Sequence, residues 1–249
     1  MTSKSVLGLV LLAMTALLYG QGKPDDFIEA KIRIVSLEQP ILDHGIVSRG
    51  KFTPLIIATS SLSQEISYYG PAKFELFSTA AEPSAETKAK GKEASARKAT
   101  WWIKLPADKT IHRMILLVGQ PAESGGMIAM EDDAKTFTFG SNRYLNFCPY
   151  PISVKLPVGV LPIPSQSSKT TKSGAKNGVY YDLVIKSHEN GEEKIGYSTR
   201  ILQNDGVRKL YFIYPAQVDT GRVRFKVIDD RPPPKELPGK KEVPEPKGK

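Results

Sequence analysis

The sequence contains a single cysteine, Cys148, and only three histidines. One cysteine excludes an internal disulfide. Cys148 lies in the apolar stretch YLNFCPYP with no histidine close in sequence, which predicts a small buried side chain rather than a nucleophile. His44, His112 and His188 lack the spacings that put two metal ligands on one face of a strand or helix. We predict that His44 lies in a turn and that the other two face solvent.

The chain also lacks the local motifs of common active sites. It has no G-x-S-x-G elbow, no P-loop and no dinucleotide fingerprint. The pairs Asp132–Asp133 and Asp229–Asp230 offer too few oxygens for calcium, so we interpret them as strand ends that favour a turn. The sequence therefore predicts no catalytic residue, no metal site and no cofactor.

Only one long apolar run is present, from Val6 to Tyr19, preceded by Lys4. It has the length of a signal-peptide core and is shorter than the ~20 residues that a membrane-spanning helix needs. We predict a signal peptide over residues 1–20 and an exported protein, periplasmic or extracellular. The alternative is an uncleaved anchor.

The formal net charge is +9, and the basic excess lies in polar segments. Residues 80–99 predict a Lys/Ala-rich insertion, residues 165–176 a flexible loop, and residues 232–249 a disordered tail rich in proline and lysine. Because this charge does not lie on a rigid sheet, we expect no binding to nucleic acid.

Between these segments the chain alternates between apolar and polar residues. In FIEAKIRIVSL, Ile28, Ala30, Ile32 and Ile34 share one face. A period of two over half a dozen residues is typical of strands with one wet face. We predict an all-β chain with about seven strands in each half.

One strand–turn–strand pattern occurs twice. IHRMILLVGQPAESGGMIAMEDD begins at Ile111, and VRKLYFIYPAQVDTGRVRFKVIDD begins at Val207. Aligned without gaps at their starts, they predict two tandem small β-sandwich-like domains, residues 26–135 and 140–231, joined by KTFTFGSN. Phe225 should then lie in the second core and Ile128 in the matching place of the first. The alternative is that two unrelated hairpins look alike.

These segments carry a resemblance. The order AKIRIVSL, FTPLIIATSSLSQEISYYGP, IKLPADKTIHRMILLVGQP, FGSNRYLNFCPYPISVKL and YFIYPAQVDTGRVRFKVIDDR resembles a group of uncharacterised exported proteins of Verrucomicrobia-like bacteria. The resemblance implies a leader, two successive small β domains and an Asp-Asp-Arg-like ending. It implies no activity. The Lys-rich insertion and the Pro-rich tail depart from the pattern.

Three aromatic doublets are the remaining candidates for a binding site. Neighbouring strand residues point to opposite faces, so each doublet should place one ring in the core and one outside. The outer rings either stack on a ligand or pack against neighbouring parts of the protein. The doublets are Tyr68 and Tyr69, Trp101 and Trp102, and Tyr180 and Tyr181.

We therefore predict an exported, non-enzymatic structural or interaction module of the bacterial envelope, whose partner is an envelope protein or a glycan. The first alternative is a glycan-binding module that uses the outer rings. The second is a β-sandwich hydrolase with a dispersed carboxylate pair, which has no local sequence signature.

Overall fold

The structure is a computed structural model that describes residues 27–79, 98–107, 111–120, 122–189, 191–216 and 223–232. The predicted leader, residues 80–97 of the insertion and residues 233–249 of the tail lie outside this part of the chain. All the regular elements within it are β-strands. None of the described residues belongs to a helix long and apolar enough to span a membrane.

The first compact unit contains eight strands. They are β1 (Phe27–Ser36), β2 (Ile41–Ser48), β3 (Lys51–Ile57), β4 (Ile66–Pro71), β5 (Lys73–Ser78), β6 (Ala99–Lys104), β7 (Ile111–Val118) and β8 (Met127–Glu131). They form two four-stranded sheets, in the orders β4-β1-β7-β8 and β3-β2-β5-β6. The pairing of β1 with β7 is parallel, and every other pairing between these strands is antiparallel.

The second unit also contains eight strands. They are β9 (Ser141–Asn146), β10 (Ile152–Leu156), β11 (Gly159–Ile163), β12 (Ser167–Lys172), β13 (Tyr180–Glu189), β14 (Glu192–Leu202), β15 (Arg208–Pro215) and β16 (Val223–Asp230). Their sheets run β12-β9-β15-β16 and β11-β10-β13-β14, with β9 and β15 parallel. Adding eight to each strand number of the first unit gives the strand orders of the second, so the two units have the same topology. The prediction of two small β-sandwich-like domains in an all-β chain is confirmed, with eight strands in each unit rather than seven. The division falls between Glu131 and Asp132, and Ala58–Leu62 groups with the second unit.

Each unit buries its own apolar core between its two sheets. In β1, the alternation predicted from the sequence is observed: Ala30, Ile32 and Ile34 are fully buried, while Glu29 and Lys31 are exposed. Beyond β1, the strand that adds most residues to the first core is β7, and the strands that add most to the second are β10 and β13.

The prediction of a flexible loop over residues 165–176 is wrong. This segment contains β12, which pairs with β9 from Ser167 to Lys172. Its side chains are mostly polar because β12 is an edge strand that buries little apolar surface, so the sequence shows no apolar alternation. Ser173, just beyond it, is buried and hydrogen-bonds to Gln203, with 2.7 Å between Oγ and Oε1.

The repeated hairpin is present, but the gapless alignment is displaced by one residue. In the second unit Ile213 pairs with Phe225, and Phe225 packs on the core. The matching core pair in the first unit is Leu116 with Ala129. Ile128 instead points outwards and is 43% exposed, so its predicted place in the core is wrong.

The displacement has a physical cause. The five residues from Met114 to Val118 are all buried, as are Leu210 to Ile213 in the other copy. A strand buried on both faces shows no alternation, so its sequence does not reveal which face a residue occupies. A slip of one residue then moves every side chain to the opposite face.

The turn between β7 and β8 closes one side of the first sandwich. The Trp102 amide donates to the Gly125 carbonyl at 3.0 Å, and the Trp101 indole donates to the Gly119 carbonyl at 2.9 Å. Gly125 has φ +99°, and a Cβ there would lie 1.9 Å from the Trp102 carbonyl oxygen. Only glycine therefore allows this approach.

Candidate functional site

One aspartate from each Asp pair of the repeated hairpins contacts the same buried arginine. Arg208, at the start of β15, donates from Nε to Asp230 Oδ2 at 2.8 Å. Its Nη1 lies 3.0 Å from Asp132 Oδ1 and donates to the Phe137 carbonyl at 2.8 Å. Arg208, Asp132 and Asp230 are all at least nine-tenths buried. We call these four residues the Arg208 centre.

A second arginine adds to this centre. The Phe137 ring is fully buried and has the Arg208 guanidinium 4.5 Å and the Arg143 guanidinium 4.4 Å from its centroid. Both distances are within the range of cation–π contacts. The carboxylates of Asp132 and Asp230 thus neutralise an arginine, and the centre fastens the chain after β8 to β15 and β16. We interpret it as structural. Asp132 and Asp230 are therefore not plain strand ends.

The aromatic doublets divide as the strand alternation predicts. The inner rings, Tyr68, Trp101 and Tyr181, are 3%, 8% and 5% exposed. Of the outer rings, Tyr69 and Tyr180 are exposed and Trp102 is half-buried. Tyr69 lies on β4 and Trp102 on β6, in different sheets of the first unit, while Tyr180 belongs to the second unit. Within the first unit the structure does not bring the two outer rings onto one surface.

Each outer ring has a charged neighbour. The Arg49 guanidinium lies 5.9 Å from the Tyr69 ring centroid, and the Lys73 ammonium 5.1 Å from that of Trp102. The Arg200 guanidinium lies 5.8 Å from the Tyr180 ring. These contacts leave Tyr180 as the outer ring with the most free surface, at 58% exposed.

His44 is not a turn residue, and that prediction is wrong. It lies in β2, is 7% exposed and contacts the edge of the Trp101 ring at a centroid distance of 4.8 Å. Its Nδ1 lies 2.8 Å from Asp43 Oδ1 and its Nε2 lies 2.9 Å from Thr100 Oγ1. The hydrogen bond from His44 holds the pKa of Asp43 below its usual value. Sequence reasoning missed Thr100 because 56 residues separate it from His44.

The other residues singled out from the sequence have plainer settings. His188 lies in β13, half-buried, with Nε2 2.9 Å from Ser153 Oγ, and the side chain of His112 is outside the described part of the structure. Cys148 is fully buried, as predicted, and burial raises the pKa of its thiol to about 11. Such a thiol is unreactive at neutral pH. Within the described residues there is no group of three His, Cys, Asp or Glu side chains that could hold a metal ion.

The outer surface of the sheet β11-β10-β13-β14 exposes a set of apolar side chains. Val160 on β11 and Ile195 on β14 are 65% and 66% exposed, and Tyr180 pairs with Leu202 across β13 and β14. We call Val160, Tyr180, Ile195 and Leu202 the apolar face. Leu161, Tyr181 and Ile201, each next in the chain to one of them, pack on the core instead, as does Tyr197 beyond Gly196.

Charged groups on the same surface are paired with one another. Lys186 forms an ion pair with Glu193, and Arg200 lies 3.5 Å from Asp182. The polar groups thus satisfy each other locally, and the apolar side chains between them are left in contact with water.

One of the two edge strands of this sheet, β11, is protected against strand addition. β11 contains Pro162, opposite Ser153, and the corresponding edge strand β3 of the first unit contains Pro54, opposite Gly45. Proline has no N–H to offer to an added strand and is typical of edges that avoid pairing. Strand addition at β11 is therefore unfavourable.

No protein-family model and no curated protein matches the sequence. The resemblance to exported proteins of Verrucomicrobia-like bacteria therefore stays a prediction.

Proposed function

We propose that the chain is an exported structural or interaction module that binds a partner protein through the apolar face. The observation that carries the proposal is the exposure of Val160, Tyr180, Ile195 and Leu202 on one sheet surface. Large apolar side chains that stay exposed on one sheet surface among polar groups are typical of interaction sites. The signal-like run from Val6 to Tyr19 supports the export part of this proposal.

The chemistry of the face favours a protein over a glycan. Three of its four side chains are aliphatic, and Tyr180 is its one aromatic ring. Sugar binding by stacking needs flat rings with free faces, and the outer rings Tyr69 and Trp102 lie elsewhere, each beside a cation. Valine, isoleucine and leucine side chains instead gain by removing apolar area from water against other apolar side chains. The glycan-binding alternative depends on Tyr180 and Arg200.

Site-specific photo-crosslinking tests the proposal. A benzophenone amino acid replaces Val160 or Ile195, and the purified chain is irradiated with an envelope fraction of the native host. Glu29, exposed on β1 in the first unit, provides the matched control position. We expect one crosslinked protein of the same mass from Val160 and Ile195, and none from Glu29.

A second variant separates binding from folding. Ile195→Asp puts a charge into the face at a position that is mostly in water, so its free energy of unfolding should change by less than ~0.5 kcal/mol. The crosslink from Val160 should be lost. The proposal is wrong if Glu29 captures the same protein, or if Ile195→Asp leaves the crosslink from Val160 intact.

A further inference from the structure

A second group of polar side chains lies in the first unit, whereas the apolar face belongs to the second. Asp43, His44 and Thr100 form a chain of two hydrogen bonds, 2.8 Å at Nδ1 and 2.9 Å at Nε2. An ionised carboxylate only accepts, so the proton of a neutral imidazole lies on Nδ1. Nε2 is then the acceptor for the Thr100 hydroxyl. This is the arrangement in which a carboxylate orients a histidine and the histidine activates a hydroxyl.

The second unit shows that the fold does not require this arrangement. His44 pairs with Ser78 of β5, and the residue in the same place of the other copy is Ile152, paired with Ser187 of β13. Ile152 is 1% exposed and belongs to the second core. An apolar side chain therefore fills this position in an otherwise identical topology. In the first unit this position holds the buried imidazole of His44 with two polar partners, where the second unit has an apolar side chain.

The hydroxyl shows the same contrast. The pairing of β5 with β6 changes register between Leu76 and Phe77, which leaves Thr100 as the extra residue of a β-bulge. The pairing of β13 with β14 has its bulge at the equivalent place, where the extra residue is Gly196. A bulge redirects the side chain of its extra residue. In one copy there is no side chain to redirect, and in the other there is a hydroxyl that reaches His44.

A further bulge places the carboxylate. β2 changes register against β3 between Ile41 and His44, so that Asp43 lies in an irregular part of the strand. Neighbouring strand residues normally point to opposite faces, yet Asp43 and His44 meet side chain to side chain. Two bulges thus bring three groups together that regular strands would keep apart.

We propose that Thr100 is a nucleophile, activated by His44, for a neutral carboxylic ester. Thr100 Oγ forms a bond to the acyl carbon while its proton passes to Nε2 of His44. The bond to the leaving alcohol breaks, and His44 returns the proton to that alkoxide. Water then attacks the acyl carbon and gives a proton to Nε2 of His44, which passes it to Thr100 Oγ as the acyl–oxygen bond breaks. Overall, ester and water give acid and alcohol. Asp43 is a positioning residue.

The charge of the site selects the substrate class. Among the described residues, the hydrogen-bond and ring partners of His44 are Asp43, Thr100 and Trp101, and the charged one, Asp43, is negative. A phosphate monoester would bring further negative charge next to this carboxylate, which is unfavourable. A neutral ester meets no such repulsion.

The test uses the full chain and a neutral fluorophosphonate ester, which leaves a stable adduct on an activated hydroxyl with loss of fluoride. Mass spectrometry measures the rate of labelling at Thr100 and, in the same sample, at Thr53, an exposed threonine of β3. We expect Thr100 to react at least ~100-fold faster than Thr53, because general-base assistance contributes ~10²–10⁴-fold. Thr100→Ser should retain labelling.

Two variants make the outcome decisive. His44→Ile installs the residue of the second copy, so it should fold and reduce labelling at Thr100 to the rate at Thr53. Asp43→Asn changes a side chain that is 68% exposed, so folding is not at risk. It should slow labelling and move its pH midpoint to lower pH, because a negative charge next to the imidazole is removed. The proposal is overturned if Thr100 reacts no faster than Thr53, or if either variant leaves the rate and the pH profile unchanged.

Discussion

Replacing Arg208 with methionine should be among the most damaging single changes in the second unit. Methionine keeps much of the side-chain volume and removes the charge. Asp132 and Asp230, each 4% exposed, would then lose the Arg208 guanidinium inside the protein, and Phe137 would lose one of the two guanidinium groups on its ring. Breaking a buried ion pair costs ~3–5 kcal/mol, and Arg208 serves two carboxylates, so we expect a loss near the upper end of this range.

The chain offers a matched control in Arg200→Met. Arg200 and Asp182 also form an ion pair in the second unit, at 3.5 Å, but their side chains are 72% and 78% exposed. A pair that remains in water contributes at most ~1 kcal/mol, so Arg200→Met should be nearly neutral. The two variants share residue type, substitution and unit, and they differ in burial and in the number of carboxylates that the arginine contacts.

Urea unfolding followed by two signals gives the measurement. The two tryptophans, Trp101 and Trp102, both lie in the first unit, so fluorescence follows that unit. Far-UV circular dichroism follows the strands of both. We expect Arg208→Met to lower the midpoint of the circular dichroism transition and to leave the fluorescence midpoint unchanged. Equal effects of Arg208→Met and Arg200→Met would refute the reasoning about burial.

Three further predictions concern single residues. Phe225→Ala should cost ~2–3 kcal/mol in urea unfolding, less than a fully buried phenylalanine, because Phe225 is half-buried against Tyr197, and an effect below ~0.5 kcal/mol would contradict the register of β16. Ala129→Asp should destabilise the first unit by ~2 kcal/mol or more while Ile128→Asp stays near neutral; the reverse order would restore the gapless alignment. The pKa of Asp43 is lowered in the folded state. Its contribution to stability is therefore present above the unfolded pKa and is lost as pH falls through the folded pKa. On acidification below pH ~4 the wild type should lose more stability than Asp43→Asn.

The features that the sequence predicts well depend on neighbouring residues. Alternation in β1 identifies a strand and its buried face, and the aromatic doublets divide into inner and outer rings because adjacent residues of a strand point apart. The repeated hairpin indicates two copies of one domain. Each of these inferences needs only a window of a few residues, so the chain topology does not have to be known.

The features that could not be predicted depend on contacts distant in sequence or on strands without alternation. Arg208 meets Phe137 across 71 positions of sequence, and His44 meets Thr100 across 56. β12 is polar because it lies at an edge, and β7 and β15 are apolar on both faces. Neither kind of strand alternates between apolar and polar residues, so its sequence does not show which side chains face the core. The apolar face also needs the structure, since Val160 and Ile195 lie on opposite edge strands and share one sheet surface only through the pairing of four strands.

The duplication itself separates what the fold needs from what it permits. Some features have the same character in both copies and belong to the topology itself. They are the edge prolines Pro54 and Pro162, the parallel pairing of the first and seventh strands, and the bulge between the fifth and sixth strands. Where Ile152 and Gly196 of one copy are replaced by His44 and Thr100 in the other, the topology is unchanged and a buried polar group has been added. Burying a polar side chain in place of an apolar one does not improve a core, even when its hydrogen bonds are made. The first unit carries the free-energy cost of burying His44, and the second unit does not. A role for His44 in the first unit explains this difference better than folding does. His44→Ile tests this directly. If His44 is purely structural, the replacement should lower the stability of the first unit. If His44 is functional, the replacement should leave that stability unchanged.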